Sequence, residues 1–205
     1  MSEAGRLFLC FVRGLNVFGR GKISIPEQQA RCSSAFDRSG QNIKFLVAHT
    51  NTGNLTVVGP SDVTAAVVQR LVRDAIGNPC AVVEPRMIEH MASTFETWPP
   101  PAREEHQRWT PGFVLLCEGH ASVAPLDPSK VGVFKVLDDA TMLVYRRDRE
   151  TPGGVLDNAP RSRAGGWGAI SARVDGALGG VWTARSLSIG ERLLELARAT
   201  TVTRP

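Results

Sequence analysis

Leu7-Phe8-Leu9-Cys10-Phe11-Val12 runs directly into Arg13-Gly14-Leu15-Asn16-Val17-Phe18-Gly19-Arg20-Gly21-Lys22. An apolar, strand-like run stops there, and a turn rich in glycine and cations replaces it. Phe8, Cys10 and Val12 alternate with Leu7, Leu9 and Phe11, so both faces of this strand are apolar and both require cover. Backbone amides and cationic side chains crowded into one turn form a place where an anion can be held.

Outward from that turn, the pattern is regular. Ser24 and Glu27 form an S-x-x-E capping box around Pro26, and Gly40 marks the end of the helix they start. Ile43 to Ala48 and Asn54 to Val58 read as strands, with His49-Thr50-Asn51-Thr52-Gly53 as their hairpin connection. Gly59-Pro60-Ser61-Asp62 breaks the chain and caps a helix whose stripe is Val63, Val67, Leu71 and Ala75, ending at Gly77. Ala81 to Glu84 is a short fourth strand. Strand, helix, strand, strand, helix, strand is the ferredoxin-like (βαββαβ) order, with both helices on one face of an antiparallel sheet.

The chain therefore reads as α+β: a ferredoxin-like subdomain over residues 1–97, a Pro-rich linker over 98–112, and a smaller α+β subdomain over 113–205. A helix is expected over about Arg86 to Phe95. In the second part, Phe113 to Glu118, Gly132 to Leu137 and Met142 to Arg146 read as strands. Trp167 to Leu178 reads as helical and Gly180 to Thr183 as extended. Ser188 and Glu191 form a second capping box before a helix carrying Ile189, Leu193 and Leu196.

Composition narrows the class. The chain has 205 residues, 42% hydrophobic and 21% charged, which suits a folded globular protein with a real core. The apolar run near its start is six residues long, too short for a signal-peptide core or a membrane span, so a cytoplasmic location without membrane attachment is expected. The net charge of +4 is shared by both halves rather than gathered in a basic tail, which argues against nucleic acid as the partner. Cys10, Cys32, Cys80 and Cys117 are scattered, without C-x-x-C or histidine partners, and read as reduced, unreactive core residues. No metal and no cofactor is expected; the oligomeric state is left open.

Known catalytic fingerprints are missing from the sequence. Counted from Gly14, a Walker A loop requires G-K-[ST] at Gly19, but Arg20 and Gly21 follow and Lys22 comes two positions late. G-x-G-x-x-G, G-x-S-x-G and H-E-x-x-H are absent. His49, beside Thr50 and Asn51, is the one candidate for acid–base work; a histidine at a strand end also serves as a structural hydrogen-bonder. His90, His106 and His120 fall on helix or loop positions, and Asp138-Asp139 on a turn where acids are expected anyway. An RRM would need aromatics on its first and third strands. Phe8 and Phe11 serve the first, but Asn54-Leu55-Thr56-Val57-Val58 has none.

Three separated segments carry a resemblance. Arg13-Gly14-Leu15-Asn16-Val17-Phe18-Gly19 with Lys22 is similar to an R-G-I-N-V-G-G start. Thr52-Gly53-Asn54 is similar to S-G-N before a third strand. Thr183-Ala184-Arg185-Ser186-Leu187-Ser188-Ile189 is an eroded T-T-R-N-W-N-T before a last helix. These are the marks of the bacterial domain of unknown function 1697 family, which the chain resembles in order and spacing over nearly its whole length. A Ser-Lys pair of that family stands here as Ser162-Arg163. The resemblance implies the same ferredoxin-like first part and a second α+β part, and it implies no known reaction.

The residues then support two readings of one set. In the functional reading, Arg13, Asn16, Lys22, Thr52, Asn54 and Arg185 bind a small anionic metabolite, a phosphate or carboxylate. Arg13 and Arg185 clamp the charge, Thr52 and Asn54 orient the ligand, and a pathway-specific enzyme activity could be added on the same scaffold. In the architectural reading, Gly14 and Gly53 supply positive φ, the asparagines close turns, and the two arginines pair with acids or helix ends. A non-enzymatic module binding RNA or a protein partner is the alternative from a different class.

Overall fold

A computed structural model describes residues 5–15, 23–49, 52–100, 107–117, 134–149 and 181–202. It is mixed α+β, with two antiparallel four-stranded sheets and four helices among the described residues. By internal contacts the chain divides into two units: Met1–His90 with Ile189–Pro205, and Met91–Ser188.

The first unit begins with β1 (Arg6–Val12), α1 (Ile25–Ser39), β2 (Lys44–His49), β3 (Asn54–Gly59), α2 (Ala65–Ile76) and β4 (Cys80–Val83). Sheet A runs β2-β3-β1-β4, every pair antiparallel. Local chemistry sets the helix ends. The Ser24 hydroxyl accepts from the Glu27 amide at 3.3 Å, and Gly40 and Gly77 close α1 and α2 in the left-handed conformation. The start of α2 differs from expectation: Thr64, not Ser61 or Asp62, accepts from the Val67 amide, at 3.4 Å. Val63 explains the shift. Its amide closes a turn onto the Pro60 carbonyl and its side chain is buried against Gly59, so the helix can begin only after it.

Register decides what each face of the sheet carries. Phe8 pairs with Val57 and Cys10 with Leu55, and these side chains join Cys32 and Phe36 of α1 and Val68, Val72 and Ile76 of α2 in one core cluster. Both helices thus cover the same face. On the other face Leu9 pairs with Thr56 and Phe11 with Asn54, and all four are wholly buried. The two-sided apolar run of β1 is covered on both sides, as its pattern requires.

Arg6 fastens one end of this sheet. It donates to the Val63 carbonyl at 3.1 Å, pairs with Glu84, and lies 5.5 Å from the centre of the Phe8 ring. Glu84 also holds Arg86, at 3.3 Å. The helix α3 (Pro85–Thr97) follows, and α4 (Leu187–Val202) returns to this unit from the far end of the chain, where Arg198 pairs with Glu89.

The second unit holds sheet B, formed by β5 (Gln107–Leu116), β6 (Phe134–Asp138), β7 (Thr141–Arg149) and β8 (Trp182–Ser186) in the order β6-β7-β5-β8. β5 starts at Gln107, well before Phe113, and runs through Pro111. Pairing with β8 begins only at Gly112, so Pro111 meets β7 on one side and has no β8 partner on the other. A proline lacking its N–H is tolerated where a strand is an edge, and here a central strand is locally one. The stretch expected as helix over 167–178 lies outside the described residues. At the other end, β8 passes into α4 without a loop, so Ser188 stands inside the first turn, with its hydroxyl 3.1 Å from that of Ser186.

Phe95, Trp98 and Tyr145 pack as an aromatic trio within this unit, with centroids 4.8 to 5.6 Å apart. The Tyr145 hydroxyl donates to the Trp98 carbonyl at 2.5 Å, and burial pushes its phenol above the ordinary range. Tyr145→Phe removes the donor but keeps the ring. Urea unfolding is expected to show a loss of about 1–2 kcal/mol, since the carbonyl is left without this partner; an unchanged midpoint would make the bond energetically silent.

Candidate functional site

The geometry of sheet A gathers three turns at one end. β1 stops at Val12, β2 stops at His49, and β3 and β4, antiparallel to β1, start at Asn54 and Cys80. The Arg13–Leu15 turn, the Thr52-Gly53 end of the hairpin connection and the Gly77–Pro79 turn therefore meet. Backbone hydrogen bonds lock them together: the Val12 amide donates to the Gly53 carbonyl at 2.8 Å and the Arg13 amide to the Pro79 carbonyl at 2.7 Å.

Thr52 and Asn54 act on each other. Asn54 is wholly buried and its Nδ2 donates to Thr52 Oγ1 at 2.9 Å. His49 is the cross-strand partner of Asn54, so the two side chains share a face, the one away from α1 and α2. Thr56, next along that face, donates its hydroxyl to the Val47 carbonyl at 3.3 Å. A short polar row, Asn54 and Thr56, is thus buried beside Leu9 and Phe11, with hydrogen bonds that offset its desolvation.

Both motif glycines have positive φ, +66° at Gly14 and +77° at Gly53, but for different reasons. Among the described residues, no heavy atom lies within 4 Å of a Cβ built on Gly14. On Gly53 it would lie 2.7 Å from Val12 Cβ and 3.2 Å from Leu15. Gly53 is where the hairpin presses onto the first turn, with buried Leu15 as the wedge.

Of the residues singled out in the sequence, Arg13, His49, Thr52 and Asn54 are brought to one end of sheet A. Asn16 and Lys22 lie outside the described residues. Arg185 belongs to the second unit, on β8 opposite Phe113. Its Nη1 donates to Thr183 Oγ1 at 2.8 Å and to the Ala184 carbonyl at 2.7 Å, which folds the guanidinium back along its own strand. Asp138 closes the β6–β7 turn by accepting from the Ala140 amide at 2.8 Å, the bland role expected of a turn acid.

One participant escaped the sequence reading. Asn78 Nδ2 donates to the Arg13 carbonyl at 3.2 Å, across a separation of 65 residues. Gly77-Asn78-Pro79 reads only as a helix end followed by a turn, and no local signal points it at Arg13.

Beneath the site, Cys10, Cys32 and Cys80 are buried in the core cluster. Burial raises the Cys10 thiol well above its ordinary value, helped by a hydrogen bond with Cys80, and pushes Cys32 up to about 12. Thiols held neutral in this way are poor nucleophiles and poor metal ligands. Among the described residues no group of three or more His, Cys, Asp or Glu is placed to hold a metal ion, and no helix is long and apolar enough to cross a membrane. Phe8 and Phe11 are both wholly buried, so neither offers a ring on which a base could stack.

The chain matches no protein-family model, no curated protein and no solved structure.

Proposed function

We propose that the first unit is a ferredoxin-like domain of a cytoplasmic protein, and that the turns at the end of sheet A bind a small anionic metabolite, a phosphate or a carboxylate. The strand order β2-β3-β1-β4 with α1 and α2 on one face supports the fold reading. The resemblance to the domain of unknown function 1697 family supports it too, because two of the three family segments fall on the turns that meet there.

One observation carries the ligand reading. Arg13 has both its amide and its carbonyl fixed by the Asn78-Pro79 turn, beside the Thr52–Asn54 pair. A cation launched from a fixed backbone next to short polar side chains suits a charge-assisted contact with an oxyanion. In this reading Arg13 takes the charge, Thr52 orients the ligand with the wholly buried Asn54 holding its hydroxyl, and His49, the cross-strand partner of Asn54, is the candidate for acid–base work. Asn16, Lys22 and Arg185 enter from sequence pattern alone.

Thermal unfolding in the presence of inorganic phosphate, pyrophosphate, nucleoside monophosphates and dicarboxylates tests it. A ligand at a hundred times its Kd stabilises the folded state by about 2.7 kcal/mol, which for a chain of this size is a rise in Tm of roughly 5–10 °C. Arg13→Ala is expected to abolish the rise. A flat response across the whole panel would remove the proposal.

A further inference from the structure

We infer that the second unit repeats the first strand for strand, and that the partner each repeat is built to take is the closing helix of a copy of itself. The inference does not rest on the anion reading.

Sheet A runs β2-β3-β1-β4 and sheet B runs β6-β7-β5-β8. Counted within each unit, both orders are second, third, first, fourth, with every pair antiparallel. The registers repeat as well. Phe11 lies between Asn54 and Ala81, and Leu115 between Thr141 and Thr183. Past the ladder, the Val12 amide donates to the Gly53 carbonyl and the Arg13 amide to that of Pro79, at 2.8 and 2.7 Å. Leu116 and Cys117 do the same to Ala140 and Val181, both at 2.8 Å. In both units these acceptors are the residues just before the third and fourth strands. The second and third strands slip register in both, between Phe45 and Val47 and between Val136 and Asp138.

The side chains do not follow the frame. Cys117 stands where Arg13 does, Ala140 where Gly53 does, and Asp138 where His49 does. The candidate site therefore has a counterpart in backbone and none in chemistry.

Each fourth strand leads into a helix, β4 into α3 after Glu84 alone and β8 into α4 directly. Met91 and Leu193 are the seventh residues of these helices, and both are wholly buried. Their places are crossed. From Met91 onward α3 counts with the second unit, where Phe95 meets the edge of Tyr145 at 5.1 Å. From Ile189 onward α4 counts with the first, where Arg198 pairs with Glu89. Exchange of an identical element between two copies is the arrangement of a domain-swapped dimer, here carried on one chain.

Two experiments on the full chain test this. A protease site is placed within residues 100–106, and the folded protein is cut there. The two fragments are expected to elute together at the volume of the intact chain and to part only in denaturant. Fragments that separate in buffer would overturn the exchange.

The second experiment follows amide exchange by NMR in β1 and β5. Leu193→Ala is expected to speed the β1 amides at least about tenfold more than those of β5, and Met91→Ala to do the reverse. Acceleration confined to the sheet that precedes each helix in the chain, or equal in both sheets, would overturn the proposal. Should either variant fail to fold, the cut protein still decides.

Discussion

Gly53→Ala is expected to destabilise the first unit by roughly 3 kcal/mol or more, whereas Gly14→Ala costs only about 1 kcal/mol. Both glycines have positive φ, so both substitutions incur the left-handed penalty that an L side chain carries. Among the described residues, Gly53 alone adds a collision: the new methyl would stand 2.7 Å from Val12 Cβ and 3.2 Å from Leu15 Cβ. Neither neighbour is the end of a flexible chain. Val12 lies on β1 and Leu15 is buried beneath the hairpin, so relief requires the two turns to part, and with them the bond from the Val12 amide to the Gly53 carbonyl. Urea unfolding of the two variants side by side measures the difference. Equal losses would mean that the contact between hairpin and first turn is not tight.

Alkaline pH is the second large lever. An unfolded thiol releases its proton near pH 8.5, but Cys10 and Cys32 keep theirs in the folded core, Cys32 up to about pH 12. Above pH 8.5 the unfolded chain therefore binds fewer protons than the folded one, and stability falls as pH rises. The contribution is fully present below the unfolded pKa and declines towards the folded one. For two such thiols the loss is about 2 kcal/mol between pH 8.5 and 9.5. Urea midpoints taken across that interval should drop, and Cys10→Ala with Cys32→Ala should flatten the slope even though the double variant starts less stable. A slope unchanged by the double substitution would show that other groups govern it. The same burial predicts that native protein does not react with a disulfide reagent and unfolded protein does.

What the sequence revealed was what neighbouring residues decide among themselves. Ser24, Gly40 and Gly77 mark helix ends by chemistry confined to a few residues, and each does what its pattern predicts. The two-faced apolar alternation of Leu7 to Val12 foretold burial on both sides. Distant partners decide the rest. Val63 looked like the first residue of a helical stripe, but it is drawn out of the helix to sit against Gly59, leaving Thr64 as the cap. Pro111 looked like part of a linker because proline breaks most strands, and only the pairing reveals that β8 stops one residue short of it.

The site divides in the same way. The positive φ of Gly14 and Gly53 is legible from turn chemistry, whereas the meeting of the first turn with the hairpin emerges only from the strand pairing. The hold of Asn78 on Arg13 is not legible either, because a single amide 65 residues away leaves no periodicity or spacing to read. Arg185 was expected to face an acid, a helix end or a ligand. Its Nη1 donates to Thr183 and to the carbonyl of Ala184, two partners whose sequence gives no hint that they would accept it.

The return of α4 to the first unit has a consequence for how the protein comes into being. Residues 189–205 complete a unit whose other residues are 1–90, and Glu89 meets Arg198 over a separation of 109 residues. A chain emerging from the ribosome therefore presents sheet A while the residues that finish its unit have not yet been synthesised, and the whole of residues 91–188 must appear first. Such long-range closure slows folding and prolongs the exposure of apolar surface. The thread that begins the fold must wait, unfinished, for its own last turn.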